Sequence, residues 1–278
     1  MRTDSQALIV VVSLSGLLLA GCAATEPPST GTDHASPTTH VHAIVADPAG
    51  DGFLLGTHEG IYAMAADGEL LSRVSGYEFD AMGLTRVGDD LLASGHPGAN
   101  TPVEMGSPHL GIIRSTDAGR NWAPVAFTGE KDFHALTASP DGNVFGIATD
   151  SQAVQVSTDG GTSWSPTGAQ MMAVSLAATA GGGVVAATQD GIQVSTDEGR
   201  SFRPWTNAPL IIRLSTSPDG EKIAGVDANE RIWVHEIGEI GWQEAGTIHG
   251  TAQAISLTND GDVLVADDSG LTFLPATP

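Results

Sequence analysis

The sequence predicts an all-β fold, a six-bladed β-propeller, on three observations. An eight-residue motif of the form S-T-D-x-G-x-[NS]-[WF] occurs at Ser115–Trp122, Ser157–Trp164 and Ser195–Phe202. Its copies start 42 and 38 residues apart, a period that marks one four-stranded sheet per unit in a radial array. The composition agrees: 35 Gly and 15 Pro with only 16% charged residues describe a turn-rich β domain.

Each unit starts with a short apolar strand, turns at a Gly/Asp cluster and returns as a second apolar strand. The turns read Gly50-Asp51-Gly52, Asp89-Asp90, Pro140-Asp141-Gly142, Gly181-Gly182-Gly183, Pro218-Asp219-Gly220 and Asp260-Gly261. A third strand leads into the repeated motif and a fourth follows it. The six units therefore start near His42, Met82, His134, Met172, Ile212 and Gln253. In the motif, Asp117, Asp159 and Asp197 accept backbone N–H groups across a turn, the Gly supplies a positive φ, and Trp122, Trp164 and Phe202 pack between sheets. Unit 1 replaces the motif with Ala66-Asp67-Gly68, and unit 5 has a degenerate copy ending at Trp242. Unit 6 runs to Pro278 one strand short, so either residues 33–39 close the ring or that blade has three strands.

The motif resembles the Asp-box, or BNR repeat, of sialidases, sortilin-type receptors and photosystem assembly factors. Over residues 40–235 a closer likeness is carried by His40-Val41-His42-Ala43, Gly56-Thr57-His58-Glu59-Gly60, Ser94-Gly95-His96-Pro97-Gly98 and Asp132-Phe133-His134-Ala135-Leu136. These segments resemble a family of bacterial secreted or lipid-anchored proteins labelled sialidase-like glycosyl hydrolases. The resemblance implies a propeller, and its label implies glycoside hydrolysis. A sialidase, however, clamps an anionic substrate with three arginines. Here Arg213 alone falls on a first strand, whereas Arg114, Arg120 and Arg200 belong to motif segments on the far face. Another glycosidase needs a carboxylate pair across the channel, for which Glu59, Asp80, Glu104, Asp132, Asp227 and Asp267 are the candidates. A third reading is a protein-binding scaffold or assembly factor.

The N-terminus addresses the chain to the cell exterior. Arg2 precedes an apolar run from Ala7 to Leu19, too short for a permanent span. The run ends in Leu19-Ala20-Gly21-Cys22, which matches a bacterial lipobox and implies cleavage before Cys22 and lipidation of its sulfur. Residues 1–21 are then a signal peptide, 22–39 a Pro/Ser/Thr-rich tether, and 40–278 the propeller. The mature protein is expected as a monomer on the outer face of the cytoplasmic membrane, held through its lipid. Cys22 is the sole cysteine, so the domain has no thiol for disulfides or catalysis. A net charge of −22 argues against nucleic acid.

Alignment of the units exposes a second pattern. Seven of the nine histidines precede residue 135. His42 and His134 share the start of a first strand with Met82 and Met172, while His58 and His96 fall at second-strand ends. His40 lies two residues before His42, on the same side of the strand, and His109 opens a third strand. All map to one mouth of the channel, opposite the Asp-boxes. Imidazole suits copper, zinc, iron and nickel, and thioether favours copper. The expected function is therefore ligand binding at a His/Met-lined mouth formed by His42, His58, His96, His134, Met82 and Met172, with His40 and His109 as further candidates. Copper is the favoured ion, zinc the next, and a small molecule or protein the other partner. The anchoring is testable by itself: Cys22→Ser should abolish metabolic palmitate labelling and leave an uncleaved precursor.

Overall fold

The computed structural model describes residues 40–276, so Cys22, the signal peptide and the tether lie outside the described residues. Six antiparallel sheets follow one another in chain order. The first comprises β1 (Val41–Ala46), β2 (Phe53–Thr57), β3 (Gly60–Met64) and β4 (Leu70–Arg73). The second comprises β5 (Phe79–Val87), β6 (Asp90–Pro97), β7 (Ile112–Ser115) and β8 (Ala123–Ala126). The third comprises β9 (Phe133–Ala138), β10 (Val144–Ala148), β11 (Ala153–Ser157) and β12 (Ser165–Gln170). The fourth comprises β13 (Ala173–Ala178), β14 (Val184–Thr188), β15 (Gly191–Ser195) and β16 (Arg203–Pro204). The fifth comprises β17 (Ile211–Thr216), β18 (Lys222–Asp227), β19 (Arg231–Glu236) and β20 (Gln243–Thr247). The sixth has three described strands, β21 (Ala252–Leu257), β22 (Val263–Asp267) and β23 (Gly270–Leu274). This is the six-bladed propeller that the repeats predict.

The ring closes through its innermost strands, with β21 against β1. Val41, Ile44, Phe53 and Leu55 of blade 1 bury against Ala254, Leu264 and Ala266 of blade 6. The Val41 amide donates to Gln253 Oε1 at 2.9 Å across that seam. Elsewhere the seams are also pinned by polar bonds: Phe133 N donates to Ser94 Oγ at 2.9 Å, and Leu214 N to Ser175 Oγ at 3.0 Å.

Each innermost strand carries one bulge at the same place. The pairing skips His42, Met82, His134, Val174, Ile212 and Gln253 in the six blades in turn. A bulge leaves its extra residue unpaired and re-aims the side chain. All six except Ile212 line a channel cavity of about 460 Å³. The sequence alignment thus has the right register in five blades and is two residues out in the fourth. There Val174, not Met172, takes the bulge position.

The Asp-boxes behave as their chemistry predicts. Asp159 Oδ1 accepts from Ser157 Oγ and from Ser163 N, both at 2.8 Å, and Oδ2 accepts from Ser163 Oγ. Asp117 and Asp197 repeat the pattern. Two successive residues take positive φ: Ala118 and Gly119, Gly160 and Gly161, Glu198 and Gly199. In blade 5, His235 stands seven residues before Trp242, where the intact motifs have Ser. Its Nδ1 lies 2.7 Å from Gly241 O, and its ring packs against Trp205 and Trp242 at 4.8 and 5.4 Å.

Trp122 is 7% exposed and meets Phe79 edge-on at 5.5 Å. Trp122→Ala should therefore cost about 3–5 kcal/mol in denaturant unfolding. The donors around Asp159 hold its carboxyl down to about 2, from 3.8, with Ser163 the main cause. Its carboxylate contribution is full above the unfolded value and disappears as pH falls through the folded one. The stability gap between wild type and Asp159→Asn, followed by denaturation at several pH values, should close as pH approaches 2.

Candidate metal centre

Blades 1 to 3 bring six histidines and two aspartates together at one mouth of the channel. Blade 1 supplies His40, just before β1, His42 on β1, and His58 after β2. His40 Nδ1 lies 2.7 Å from His58 Nε2, and His42 Nε2 lies 3.3 Å from His58 Nδ1. These three form a group whose ligand atoms all fall within 4.8 Å of one another.

Blade 2 has the longest hairpin among the described residues, with β5 and β6 of nine and eight residues. The extension carries Asp80 directly opposite His96 in the pairing. Gly95 makes this possible: at φ 147° it lies so close to Asp80 that a Cβ would come within 1.9 Å of the Asp80 carbonyl oxygen. Asp80 Oδ1 is 3.0 Å from His58 Nδ1 and 3.3 Å from His42 Nε2, while Oδ2 is 3.6 Å from His96 Nδ1. Burial pushes the Asp80 carboxyl up, but the hydrogen bonds and charges of His42 and His58 outweigh it and hold the group below its ordinary value. Burial, reinforced by neighbouring His42 and His58, lowers the His40 pKa and favours the neutral, ligating form.

His109 arrives on the long loop between β6 and β7. Met105 and Leu110, 2% and 0% exposed, anchor that loop, and the Leu110 amide donates to Gly95 O at 2.9 Å. Blade 3 adds Asp132, just before β9, and His134. His96, His109 and Asp132 form the second group with ligand atoms within 4.8 Å of one another. Asp132 is 3% exposed. Its Oδ2 lies 2.6 Å from His134 Nε2 and 3.4 Å from His96 Nε2. The hydrogen bond to Asp132 raises the His134 pKa against the opposing effect of burial.

Four buried side-chain N or O atoms among the described residues have no protein partner, and two of them are His109 Nδ1 and Asp132 Oδ1. An unmet buried polar atom costs about 1–3 kcal/mol. Both atoms belong to residues of one His/His/Asp group of metal-ligand type.

His42, His58, His96 and His134 thus meet at one mouth, together with His40 and His109. Met82 lines the channel beside them. Met172 does not join them as a channel-lining residue: it is 64% exposed and precedes β13 at the wrong register for the bulge. The aspartates enter as carboxylates of the histidine cluster, a role the residue types alone did not single out. A signal was present, because His40, Asp80 and Asp132 each stand two residues before a bulge residue, on its side of the strand.

The remaining carboxylate candidates are engaged elsewhere. Asp227 accepts from Asn229 N, Arg231 Nε and Trp233 Nε1, and Asp267 from Ser269 N and Gly270 N, so both cap turns. Glu59 accepts from the Tyr62 hydroxyl at 3.3 Å, and Glu104 sits in the short 3-10 turn Val103–Met105. Arg114, Arg120 and Arg200 bond to backbone oxygens of Asp-box residues. Arg213 donates to Gln253 O and Ile212 O.

These features define an Asp-box six-bladed propeller with a histidine–aspartate mouth. The family model for the BNR/Asp-box repeat matches residues 155–166, the third blade's turn. Among solved structures, the chain is similar to a gluconolactonase of Xanthomonas campestris, with TM-score 0.66, 11% identity and 86% of each chain covered. It is also similar to a putative gluconolactonase with TM-score 0.63, 12% identity, and 86% of this chain and 89% of that one covered. At such identities the likeness is one of fold. A search of curated protein sequences gives no match. Asp132→Asn should lower the His134 pKa in the metal-free protein, read by NMR titration of the imidazole protons.

Proposed function

We propose that this protein is a transition-metal-binding propeller whose site is the His/Asp mouth of blades 1 to 3. The observation that carries the reading is the close grouping of His96, His109 and Asp132, two of which keep a buried polar atom, His109 Nδ1 and Asp132 Oδ1, without a protein partner. Imidazole and carboxylate donors suit divalent copper, zinc, nickel and iron, and the Irving–Williams order places Cu(II) highest. Copper thus remains the favoured ion, now on imidazole and carboxylate rather than on thioether, and zinc the next. A net charge of −22 draws cations toward the mouth. The lipobox ending in Cys22 supports a location on the outer face of the cytoplasmic membrane, where such a protein meets extracellular metal.

The glycosidase reading has less behind it. Asp80 and Asp132 both contact the His96 imidazole from neighbouring blades, and each faces imidazoles rather than open channel. A scaffold needs no cluster of six imidazoles.

Calorimetric titration of the full chain with Cu(II), Zn(II) and Ni(II) tests the proposal. Wild type should bind Cu(II) tightest. His109→Ala and Asp132→Asn should each weaken binding by more than the roughly 10–100-fold that follows loss of an outer-shell partner. His235→Ala should leave affinity unchanged, since that ring is enclosed by Trp205 and Trp242 at the Asp-box face. Affinity should fall with pH, because protons compete for the ligating nitrogens. Wild type that binds none of these ions more tightly than His109→Ala would sink the reading.

A further inference from the structure

We propose that the mouth holds two metal ions, one in the His40/His42/His58 set and one in the His96/His109/Asp132 set, with the Asp80 carboxylate bridging them. The inference rests on the metal-binding reading and extends it from one ion to a coupled pair.

The ligand count carries the argument. His40, His42 and His58 make one set of three, and His96, His109 and Asp132 make another, with no residue in common. Three protein ligands leave a tetrahedral ion one short. Asp80 stands between the sets. Its Oδ1 faces the first set, at 3.0 Å from His58 and 3.3 Å from His42. Its Oδ2 faces the second, at 3.6 Å from His96. One oxygen points toward each side; Asp80 belongs to neither triad as the rings stand, and it is the group that would supply the fourth ligand to each once an ion draws the rings around it. A carboxylate has two oxygens with lone pairs in divergent directions, so it can serve two ions at once.

The backbone holds Asp80 in this place. It lies on the blade 2 hairpin, paired with His96 and pressed against Gly95, between the ligands of blade 1 and those of blade 3. Only partly exposed, it is shielded from water, and the hydrogen bonds it now makes with His42 and His58 are those a metal ion would replace. The second set has its own outer support, since Asp132 is oriented by His134 at 2.6 Å. Two carboxylates and the acidic surroundings offset the charge of two divalent ions in one mouth. Such a pair at a channel opening fits a small oxyanion or oxygen-donor ligand spanning both ions, the arrangement two-metal sites use.

Copper and spin counting test the proposal. The full chain is loaded with excess Cu(II), freed of unbound metal by gel filtration, and assayed for copper by elemental analysis and for unpaired spins by EPR. Two coppers per chain are expected. The spin count should fall below the copper count, or a half-field transition should appear, because a bridging carboxylate couples the two ions. His58→Ala changes a ring whose side chain is 53% exposed, so the fold should survive it. That variant should hold one copper with a full, uncoupled spin count. Asp80→Asn should lose the coupling, whether it keeps one copper or two. One copper per wild-type chain would overturn the pair while leaving the metal site in place. Two coppers with a full spin count and no half-field transition would overturn the bridge. No bound copper, zinc or nickel would overturn the metal reading itself.

Discussion

The bulge at the start of every innermost strand is the constraint on which the rest of this structure depends. Six sheets arranged around an axis crowd their innermost strands into the channel, where those strands line a shared cavity. A bulge places one unpaired residue there in each blade, and the pairing resumes behind it. The rest of the strand can then stay apolar and buried, as in Ile44, Leu84, Leu136, Leu176, Leu214 and Ile255. Core and mouth are thereby separated along a single strand. Residues at and two before the bulge are free to vary chemically, while those after it are held to packing.

The protein uses that freedom unevenly. In blades 1 to 3, the residues two before the bulge and at it are His40 and His42, Asp80 and Met82, Asp132 and His134. In blades 4 and 5 the same positions are Met172 and Val174, Leu210 and Ile212. Met172, Val174 and Leu210 are 64%, 54% and 67% exposed. The mouth therefore carries histidines and aspartates in blades 1 to 3, apolar residues in blades 4 and 5, and Thr251 and Gln253 in blade 6. The fold's sixfold repetition guarantees equivalent positions, and the sequence then breaks the symmetry to gather the histidines in blades 1 to 3.

The two ends of the channel also divide stability from chemistry. At one end, Asp117, Asp159 and Asp197 bind their own turns and are fully occupied in doing so. At the other, His109 and Asp132 keep buried atoms without protein partners. Saturated carboxylates at the ends of blades hold the hairpins closed, while Asp132 at the mouth keeps one buried oxygen without a protein partner. The distinction rests on hydrogen-bond accounting, since both kinds of aspartate occupy loops next to a strand.

By itself the sequence determined the propeller, the blade number, and the face on which the histidines lie. These follow from local periodicity: a turn motif needs a particular Ser, Asp and Gly wherever it occurs, and strand alternation fixes the side of each residue. It also contained the register of five bulges, through the shared positions of His42, Met82, His134, Ile212 and Gln253. Blade 4 misled, because Met172 resembled Met82 in type while Val174 held its place. Only the tertiary structure decided that His96 belongs with His109 and Asp132, and that Asp80 faces both histidine sets. Those neighbours come from different blades, and their separations depend on how far one hairpin extends and how one long loop folds back. Distances across a ring of sheets are set by packing between blades, which no repeat within a blade encodes.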